Sequence, residues 1–438
     1  MVFAVAVTSC NYDWTGFGND PGHSNATSDT GISTGNVAAL TPAFSIPDTG
    51  YMYPQPVVSK GVVYISKGGA LAAYDATGVE GCSGTPKTCV PLWTGDGPGP
   101  DTVTPAITHG FVVVGADDVI AAYDAAGITG CGGTPKTCVP VWTATNRAQG
   151  SIQVAGDRIY VTGGPGTVLA YDAAGVIGCS GTPRTCQPIW IGPADEQSSF
   201  VTATVSGGKV YVVDQGPTVG GYLPQISVFD VDATGCSTGI PMVCTPVSII
   251  PLPYSGASPA VVGGVLYVPT LGGILAYDAA TIATCTASPA DCQPLWRTPA
   301  QEAISISSFA GGRMFVTGSG DVEAFDAAGV VGCDGTPKVC NPLWRGSDQT
   351  AYRSYSVVAN GVVYVTKDSG VAAYDAAGNL GCSGTPTVCP PLWSAPDGYR
   401  RPIVAKGTLW VPSSSGLIAY RPTPPLSTTA TTATTEGS

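Results

Sequence analysis

The sequence predicts an all-β protein that folds as a single eight-bladed β-propeller of four-stranded antiparallel blades. Three observations predict this fold: a cysteine motif that recurs about every 48 residues, a hairpin motif that precedes each copy, and a last repeat without a fourth strand. Repeats of this length that contain only short strands are typical of propellers, in which each repeat forms one blade. One closed propeller accounts for nearly all of the 438 residues.

The recurring motif places two cysteines between a Tyr-Asp or Phe-Asp dipeptide and, in most copies, a Trp. The clearest copies occupy residues 74–93, 123–142 and 171–190. The other copies begin at Phe229, Tyr277, Phe325 and Tyr374. The expected pairs are Cys82 with Cys89, Cys131 with Cys138, Cys179 with Cys186, Cys236 with Cys244, Cys285 with Cys292, Cys333 with Cys340 and Cys382 with Cys389.

Zinc is the alternative to disulfides at these cysteines. The cysteine loops contain no histidine and the chain has 2, so local disulfides are favoured. Disulfides persist in oxidising compartments, which predicts an extracytoplasmic protein.

The hairpin motif is an apolar strand, a tight turn and a strand with an aromatic residue. Its copies occupy residues 54–66, 104–115, 151–162, 202–213, 258–269, 306–317, 355–366 and 401–412. Many of the turns carry Lys-Gly, Gly-Gly or Asn-Gly, which favour two-residue hairpin loops. A third strand ending at Tyr-Asp and a fourth holding the Trp complete each blade. The last blade lacks its fourth strand, and residues 39–45 are predicted to supply it, with Phe44 in place of the Trp.

The two ends of the chain differ from the repeats. Residues 1–10 are apolar and end at Cys10 in a pattern similar to a bacterial lipoprotein signal, which makes Cys10 a candidate for lipidation; the alternative is a remnant of an ordinary secretory signal with a free thiol. Residues 422–438 form a Thr- and Pro-rich tail of low complexity that is expected to be disordered. The propeller is therefore assigned to residues 11–421.

Charge and hydropathy exclude several classes of partner. The net charge is −12 and the sequence pI is about 4.4, whereas nucleic acids and anionic membranes attract basic surfaces. No stretch of 18 apolar residues is present that could span a bilayer as a helix. A closed propeller exposes few strand edges, so a monomer is expected.

The blade pattern A-x-D-x-x-(T/A)-G…W resembles the pyrroloquinoline-quinone (PQQ) repeat of quinoprotein alcohol dehydrogenase-like propellers. Residues 13–23 are also similar to the N-terminal stretch of that family, and the resemblance extends over about residues 11–421. The family includes PQQ-dependent dehydrogenases and non-enzymatic members such as the outer-membrane assembly lipoprotein BamB. The resemblance implies that the Trp of each blade packs between neighbouring blades. The residues concerned are Trp93, Trp142, Trp190, Trp296, Trp344 and Trp393. Blade 4 departs from the pattern, with Ser248 in the Trp position and an insertion at 214–225.

Arginine and tyrosine concentrate in the predicted links between blades, which are expected to share one face. Guanidinium groups beside aromatic rings suit planar ligands that carry carboxylates, and PQQ is such a ligand. The alternative is that exposed loops simply carry the charges that a soluble protein needs. The candidate ligand-binding residues are Arg147, Arg297, Arg345, Arg353, Arg400, Arg401, Tyr352 and Tyr355. His109 is expected in a hairpin turn, His23 in a structural role, and the Asp of each Tyr-Asp in a backbone-bonding turn. No catalytic residue and no metal ligand is assigned.

Two functions are compatible with this sequence. The first is a non-catalytic binding or scaffold module, secreted or lipid-anchored, that presents a rigid surface to a protein, a glycan or a small anionic ligand. The second is a PQQ-dependent dehydrogenase of alcohols or sugars, with PQQ and calcium as cofactors. Enzymes of the family commonly carry an adjacent Cys-Cys disulfide. This chain has no Cys-Cys dipeptide and no Cys-x-x-Cys-His haem-attachment motif, which favours the first function.

Overall fold

The structure is a computed structural model in which the described part of the chain comprises residues 12–47, 54–67, 70–96, 103–116, 118–146, 148, 150–163, 167–193, 201–218, 221–285, 292–300, 307–317, 322–347, 355–367, 370–398 and 400–423. These residues form eight antiparallel four-stranded units arranged as a propeller, which confirms the predicted fold class. The alternation of β-branched and aromatic residues with tight turns produces these strands.

In the first four blades the strands run in chain order from the innermost to the outermost. Blade 1 contains Val57–Ser59, Val62–Lys67, Ala70–Asp75 and Trp93–Gly95. Blade 2 contains Ala106–Thr108, Phe111–Gly115, Ile120–Asp124 and Trp142–Ala144. Blade 3 contains Gln153–Ala155, Arg158–Gly163, Thr167–Asp172 and Trp190–Pro193. Blade 4 contains Thr204–Ser206, Lys209–Thr218, Gly221–Asp230 and Ser248–Pro251.

The remaining blades follow the same order. Blade 5 contains Ala260–Val262, Val265–Thr270, Gly273–Asp278 and Trp296–Arg297. Blade 6 contains Ser308–Ala310, Arg313–Thr317, Val322–Asp326 and Trp344–Gly346. Blade 7 contains Tyr355–Ala359, Val362–Lys367, Gly370–Asp375 and Trp393–Ala395. Blade 8 contains Ile403–Ala405, Thr408–Ser413, Gly416–Pro422 and, from the other end of the chain, Leu40–Pro47.

The ring closes where the sequence predicted. Leu40–Pro47 pairs antiparallel with Gly416–Pro422 and completes blade 8. The closing strand is longer than the predicted 39–45 because it continues to Pro47, and Gly416–Pro422 extends one residue beyond the expected propeller boundary at 421. Phe44 is buried edge-on against Trp410, with their ring centroids 5.6 Å apart. Phe44 therefore fills the place of the interblade Trp, as predicted.

The cysteine motifs form seven disulfides, and all seven predicted pairings are confirmed. Five of them follow one pattern, in which the two cysteines stand opposite each other on a short hairpin or at its end, with Cα atoms 3.9–4.1 Å apart. The pairs are Cys82 with Cys89, Cys131 with Cys138, Cys179 with Cys186, Cys333 with Cys340 and Cys382 with Cys389.

The two disulfides of the irregular blades also form as predicted. Cys236 pairs with Cys244 across an antiparallel bridge with Cα atoms 4.0 Å apart, so the extra residue of this loop is accommodated without changing the cross-strand geometry. Cys244 is buried, and its N–H donates to the carbonyl of Ile191 in the preceding blade at 2.8 Å. Cys285 and Cys292 have Cα atoms 6.1 Å apart and are both buried in the apolar cluster of blades 4 and 5. The Cα atoms of this pair therefore lie farther apart than those of the other six pairs.

The sequence did not reveal what the cysteine loops do. In most blades the second arm of the loop pairs in parallel with the outermost strand of the preceding blade, so six of the sheets contain strands from two blades. The arms are Thr88–Cys89 on blade 8, Thr137–Cys138 on blade 1, Arg184–Cys186 on blade 2, Met242–Val243 on blade 3, Val339–Cys340 on blade 5 and Val388–Cys389 on blade 6. We call these segments the capping arms.

The Asp of each Tyr-Asp dipeptide organises the turn that precedes the capping arm. In blade 1, Asp75 accepts backbone N–H bonds from Thr77, Val79 and Glu80 at 2.9, 2.8 and 2.7 Å. Burial alone would raise the pKa of the Asp75 carboxyl, but a hydrogen bond from the Thr77 hydroxyl and these backbone bonds together outweigh burial, and its pKa lies below the ordinary value. The carboxylate is therefore a fixed part of the turn, as the sequence predicted.

The Gly of the repeated motif lies three residues after this Asp. Its close approach to an aromatic ring of the preceding blade explains why the motif has Gly at this position. Gly127 has φ +65°, and a Cβ added there would collide with the indole of Trp93 from the preceding blade. Trp93 is buried with its ring between Tyr64 of its own blade and Tyr123 of the next. The same contact recurs at Gly78 on Phe44, Gly175 on Trp142, Gly329 on Trp296 and Gly378 on Trp344. The interblade packing that the family resemblance implied is therefore present.

Blades 4 and 5 depart from the repeat. Residues of the insertion lengthen the middle strands of blade 4 to Lys209–Thr218 and Gly221–Asp230. Ser248, in the Trp position, is buried and donates to the carbonyl of Cys285 at 2.7 Å. In blade 5, Asp278 caps the one-turn helix Ala279–Ile282 instead of an extended turn. At the junction of blades 4 and 5, the hydrogen bond from Ser248 to Cys285 thus replaces the indole contact.

The N-terminal segment crosses the middle of the propeller on the side of the first hairpin turns. We call residues 12–31 the N-terminal plug. Its backbone bonds to the innermost strands of successive blades, through the pairs Trp14 with Val58, Thr15 with Ile107, Pro21 with Val205, Gly22 with Val261, Ser24 with Phe309 and Asn25 with Val358. Ala26–Thr27 then adds in parallel to the innermost strand of blade 7. The plug holds the blades together around the axis, independently of the outer capping arms.

His23 lies at the centre of this plug and is fully buried. Its Nδ1 is 3.0 Å from the carbonyl oxygen of Pro259, and its Nε2 is 2.7 Å from Oε1 of Gln153. Burial lowers the pKa of His23, and this outweighs the hydrogen bonds that raise it. The structural role expected for His23 is confirmed. His109, as predicted, lies in a first hairpin turn, and its Nε2 is 3.1 Å from Oδ1 of Asp157.

Gly127→Ala should destabilise the propeller by about 1–3 kcal/mol more than Gly110→Ala, because overpacking forces buried groups to move. Both glycines have positive φ, so both variants carry backbone strain, but only Gly127 faces the Trp93 ring, whereas no atom lies within 4 Å of a Cβ at Gly110. Chemical denaturation of the two variants measures the difference. Equal losses of stability in the Gly127→Ala and Gly110→Ala variants would contradict this, because they would show that the Trp93 ring moves aside at no energetic cost.

The buried His23 should make stability depend on pH. Its folded pKa lies below the unfolded value of 6.5, so below that pH the unfolded chain binds a proton that the folded chain refuses. The contribution of His23 to the free energy of unfolding is therefore fully present above about pH 6.5 and decreases as the pH is lowered. Tm between about pH 5 and 7.5 should vary less in His23→Gln than in the natural chain. His109→Gln is the matched histidine variant; the same slope in all three proteins would contradict the assignment.

Candidate binding surfaces

A belt of polar side chains surrounds the channel at the starts of the innermost strands, away from the hairpin turns. Thr104 Oγ1 accepts from Gln55 N at 3.1 Å, and Ser258 Oγ accepts from Thr202 N at 2.8 Å. Ser308 and Ser356 join blades 6 and 7 through their hydroxyl groups at 2.8 Å. Each bond connects neighbouring blades. The belt gives this end of the channel hydrogen-bonding groups held by rigid strands.

Arg401 lies two residues before the innermost strand of blade 8, Ile403–Ala405, and reaches into this region. Its guanidinium carbon lies 4.8 Å from the ring centroid of Phe17 in the plug and 4.5 Å from that of Tyr355. Such distances are those of cation–π contacts. Burial lowers the pKa of Arg401. The nearby Tyr355 partly offsets this shift, and the positive charge of Arg400 adds to it. The structure thus joins two of the predicted ligand-binding residues, Arg401 and Tyr355, with Phe17, which the sequence had not singled out.

The other predicted residues occupy different places. Arg400 is buried, and its carbonyl accepts from Thr366 Oγ1 at 2.8 Å. Arg345 lies on the outermost strand of blade 6, where its Nε is 2.8 Å from Glu323, and Arg297 lies on the outermost strand of blade 5. These two follow a Trp directly and so belong to the strand instead of the link. Arg147, Arg353, Tyr352 and Cys10 lie outside the described residues.

PQQ requires groups that bind carboxylates, and calcium requires several oxygen ligands. Arg401 provides a cation beside aromatic rings that suits a planar carboxylate. Within the described ranges, no three side chains of His, Cys, Asp or Glu converge as a metal site requires. Buried Glu323 pairs with Arg345 on the outermost strand of blade 6. The described part of the site therefore fits an anionic ligand but supplies no calcium site.

A second surface consists of aliphatic side chains on the Asp-centred turns. Val79, Ile128, Val176 and Val330 occupy the same place in blades 1, 2, 3 and 6 and are 74, 74, 61 and 68% exposed. Their backbone N–H groups are held by the Asp carboxylates at 2.8, 3.2, 2.6 and 2.8 Å. We call the aliphatic ring the set Val79, Ile128, Val176, Ile177, Val330, Val331 and Leu380.

The turn geometry explains why these side chains face solvent. The Asp carboxylate fixes the backbone of the turn, and the buried neighbour three residues after the Asp is Gly, so the following aliphatic residue has no interior to enter. Contiguous exposed apolar patches mark interaction surfaces, whereas apolar residues scattered singly over a surface are ordinary. The Val or Ile that often follows Gly in the motif is the sequence signal of this surface, but residues of these types are core residues in most proteins.

A groove of about 450 Å³ opens on this same side between blades 6 and 7. At four other junctions a basic residue of the cysteine loop reaches the carbonyl of the turn glycine; in blade 1, Lys87 Nζ donates to Gly78 at 3.1 Å. The other three pairs are Lys136 with Gly127, Arg184 with Gly175 and Lys338 with Gly329. Blade 7 has Thr387 instead, and both Thr387 and Gly378 line the groove. The shorter side chain leaves the turn carbonyl accessible beside the aliphatic ring.

The described residues contain no helix with the length and hydropathy needed to cross a membrane. No protein-family model and no curated protein matches this sequence.

Solved structures do match the fold. BamB from Moraxella catarrhalis has a TM-score of 0.58 at 15% identity over 87% of this chain and 97% of that chain. The quinohemoprotein alcohol dehydrogenase ADHIIG from Pseudomonas putida HK5 has a TM-score of 0.63 at 13% identity over 94% of this chain and 80% of that chain. A europium-containing methanol dehydrogenase has a TM-score of 0.60 at 14% identity, over 93 and 91% of the two chains. The chain therefore has the eight-bladed propeller fold shared by BamB and the quinoprotein alcohol dehydrogenases.

Proposed function

We propose that this protein is a non-catalytic, extracytoplasmic scaffold that binds another protein through its aliphatic ring. The observation that carries the proposal is the recurrence of large exposed aliphatic residues on the same turn of five blades. The core of a protein interface is apolar and would bury such side chains. The similarity of the fold to BamB is consistent with a binding role.

The rest of the structure supports this role. Seven disulfides, the capping arms and the N-terminal plug hold the blades and their loops in place. A surface held in this way loses little conformational entropy when a partner docks, which favours affinity. The disulfides also support an extracytoplasmic location, because they persist in oxidising compartments. Attachment through a lipid at Cys10 stays a proposal, and so does the monomeric state.

The double variant Ile128→Glu, Val330→Glu should lose at least about tenfold in affinity for the partner, because two charges enter the centre of an apolar contact. Both residues are exposed, so Tm should change little. The partner is captured by crosslinking on the intact protein in an extract of the source cells and is then measured against each purified variant.

The matched control is Thr88→Glu, Thr185→Glu, which adds the same charge to exposed places in the capping arms away from the aliphatic ring. Affinity should survive in this control. Equal loss in both variants would show a general charge effect. Unchanged affinity in the Ile128→Glu, Val330→Glu variant would contradict the proposed interface.

The second candidate function is that of a quinoprotein dehydrogenase, and Arg401 between Phe17 and Tyr355 is the observation that favours it. A guanidinium in this setting can pair with a carboxylate of PQQ while the aromatic rings limit its movement. When bound, PQQ would accept the electrons of an alcohol. The residues described here would bind and orient it, and the polar belt would restrict access of water from one side.

Titration with PQQ by calorimetry, with and without calcium, tests this candidate. If PQQ binds here, Arg401→Met should weaken binding at least about tenfold, since a charge-assisted bond is lost. Arg297→Met is the matched control, because Arg297 lies on the outer strand of blade 5. No binding by the natural chain, or equal affinity in the two variants, would rule out PQQ at Arg401.

A further inference from the structure

A second groove, of about 650 Å³, opens between blades 3 and 4 on the side of the first hairpin turns. Ile177 of the aliphatic ring lines this groove and is 53% exposed. The buried side chains of Ile189 and Val205 contribute further aliphatic surface to it. The groove therefore lies beside the surface that is proposed to bind a protein partner.

Blade 4 departs from the repeat at this groove, both in its turn and in its cysteine loop. Ala233 and Thr234 stand where blade 3 has Gly175 and Val176, so blade 4 contributes no member to the aliphatic ring. Its cysteine loop, residues 236–244, contains no Lys or Arg. The groove between blades 6 and 7 likewise lies at a junction whose cysteine loop lacks the basic residue. At both junctions an open groove thus accompanies the loss of that side chain.

At four regular junctions a basic side chain of the protein itself lies across the corresponding place. These side chains donate to the carbonyl of a turn glycine at 2.9–3.2 Å, and they belong to Lys87, Lys136, Arg184 and Lys338. Lysine and arginine suit such a place because their methylene stems pack on apolar surface while the charged end keeps polar partners. A blade junction of this fold therefore accommodates a basic side chain.

The polar lining of the groove between blades 3 and 4 carries an excess of negative charge. Asp157, Asp172 and Asp232 line it together with one cation, Arg158. Arg158 already donates through Nη1 to the carbonyl of Val231. Asp172 is buried and accepts backbone hydrogen bonds within its own turn, whereas Asp157 and Asp232 are exposed. Two exposed carboxylates are thus placed to pair with a cation that enters the groove.

Asp157 and Asp232 are both departures from the repeat. The first hairpin turns of the other seven blades contain no Asp or Glu. Asp232 stands two residues after Asp230, a place where the other cysteine-loop blades have Thr or Ala. Nε2 of His109, in the neighbouring turn of blade 2, lies 3.1 Å from Oδ1 of Asp157. Residues that break a regular pattern concentrate at functional sites, and here two of them meet at one groove.

We propose that the protein partner inserts a lysine or arginine side chain into the groove between blades 3 and 4. The stem of that side chain packs on Ile177 and Ile189, and its charged end pairs with Asp157 and Asp232. This inference rests on the proposed function, in which the partner docks on the aliphatic ring, and it adds the chemistry of the partner: a basic residue beside apolar ones. The net charge of −12 attracts the same class of partner.

Selection of short random peptides, displayed on phage, against the intact protein tests the proposal. The enriched peptides should carry Lys or Arg beside Val, Ile or Leu. A synthetic copy of an enriched peptide is then titrated by calorimetry. Asp157→Asn, Asp232→Asn should weaken its binding at least about tenfold, because charge-assisted hydrogen bonds are lost. The dependence of Kd on salt should also become shallower in this variant.

The matched control is Asp118→Asn, Asp334→Asn, which removes the same charge from exposed places outside the groove. Affinity for the peptide should survive in this control. The proposal is overturned if selection enriches no basic peptides, if the Asp157→Asn, Asp232→Asn variant binds as the natural chain does, or if both double variants lose affinity equally.

A third variant separates this inference from the proposed function. Ile128→Ser, Val176→Ser removes apolar surface from the aliphatic ring and leaves the charges of the groove in place. Weaker binding of this variant, with full affinity in the Asp157→Asn, Asp232→Asn variant, would support the ring and overturn the groove. The reverse result would support the groove and contradict the ring as the interface. Self-association of the natural chain that the Asp157→Asn, Asp232→Asn variant loses would also overturn the proposal, because a second copy would then fill the groove.

Discussion

The contact between one blade and the next is the interaction on which the rest of this structure depends. An Asp carboxylate gathers backbone N–H groups into a turn, a glycine at positive φ lets the preceding blade's indole pack against that turn, and a disulfide-closed loop extends a capping arm onto the preceding blade. In blades 1 and 2 these elements are Asp124, Gly127, Trp93 and the arm Thr137–Cys138. The repeated sequence motif is thus a motif of blade junctions, since each copy is completed only by its neighbour.

The axis is stabilised in a different way. The N-terminal plug bonds to the innermost strands of most blades before the chain enters Leu40–Pro47 and closes blade 8. His23, fully buried in the plug, contacts blades 3 and 5 through Gln153 and Pro259. The two ends of the chain therefore meet only after the plug has passed the inner strands, so closure couples the first residues of the fold to the last.

These two sets of contacts leave distinct surfaces for function. The end of the channel with the polar belt carries Arg401 between Phe17 and Tyr355, a setting that suits a planar anion. The opposite side carries the aliphatic ring, whose members project because the Asp-centred turn leaves them no interior to enter. The first surface resembles a ligand site and the second a protein interface. The regularity of the second surface is the reason for placing the scaffold role first.

The sequence alone determined the number of blades, the seven disulfides, the closing strand with Phe44 and the turn role of the Asp residues. Each of these is encoded locally or by strict repetition, so spacing and residue type suffice; even the irregular pairs of Cys236 with Cys244 and Cys285 with Cys292 follow from proximity in the chain. Only the tertiary structure decided that the cysteine loops cap the preceding blade, and that Arg401 meets Phe17 and Tyr355 while Arg297 and Arg345 lie on outer strands. These facts depend on contacts between residues far apart in the chain, and the periodicity that identifies a blade carries no information about which neighbouring segment covers it.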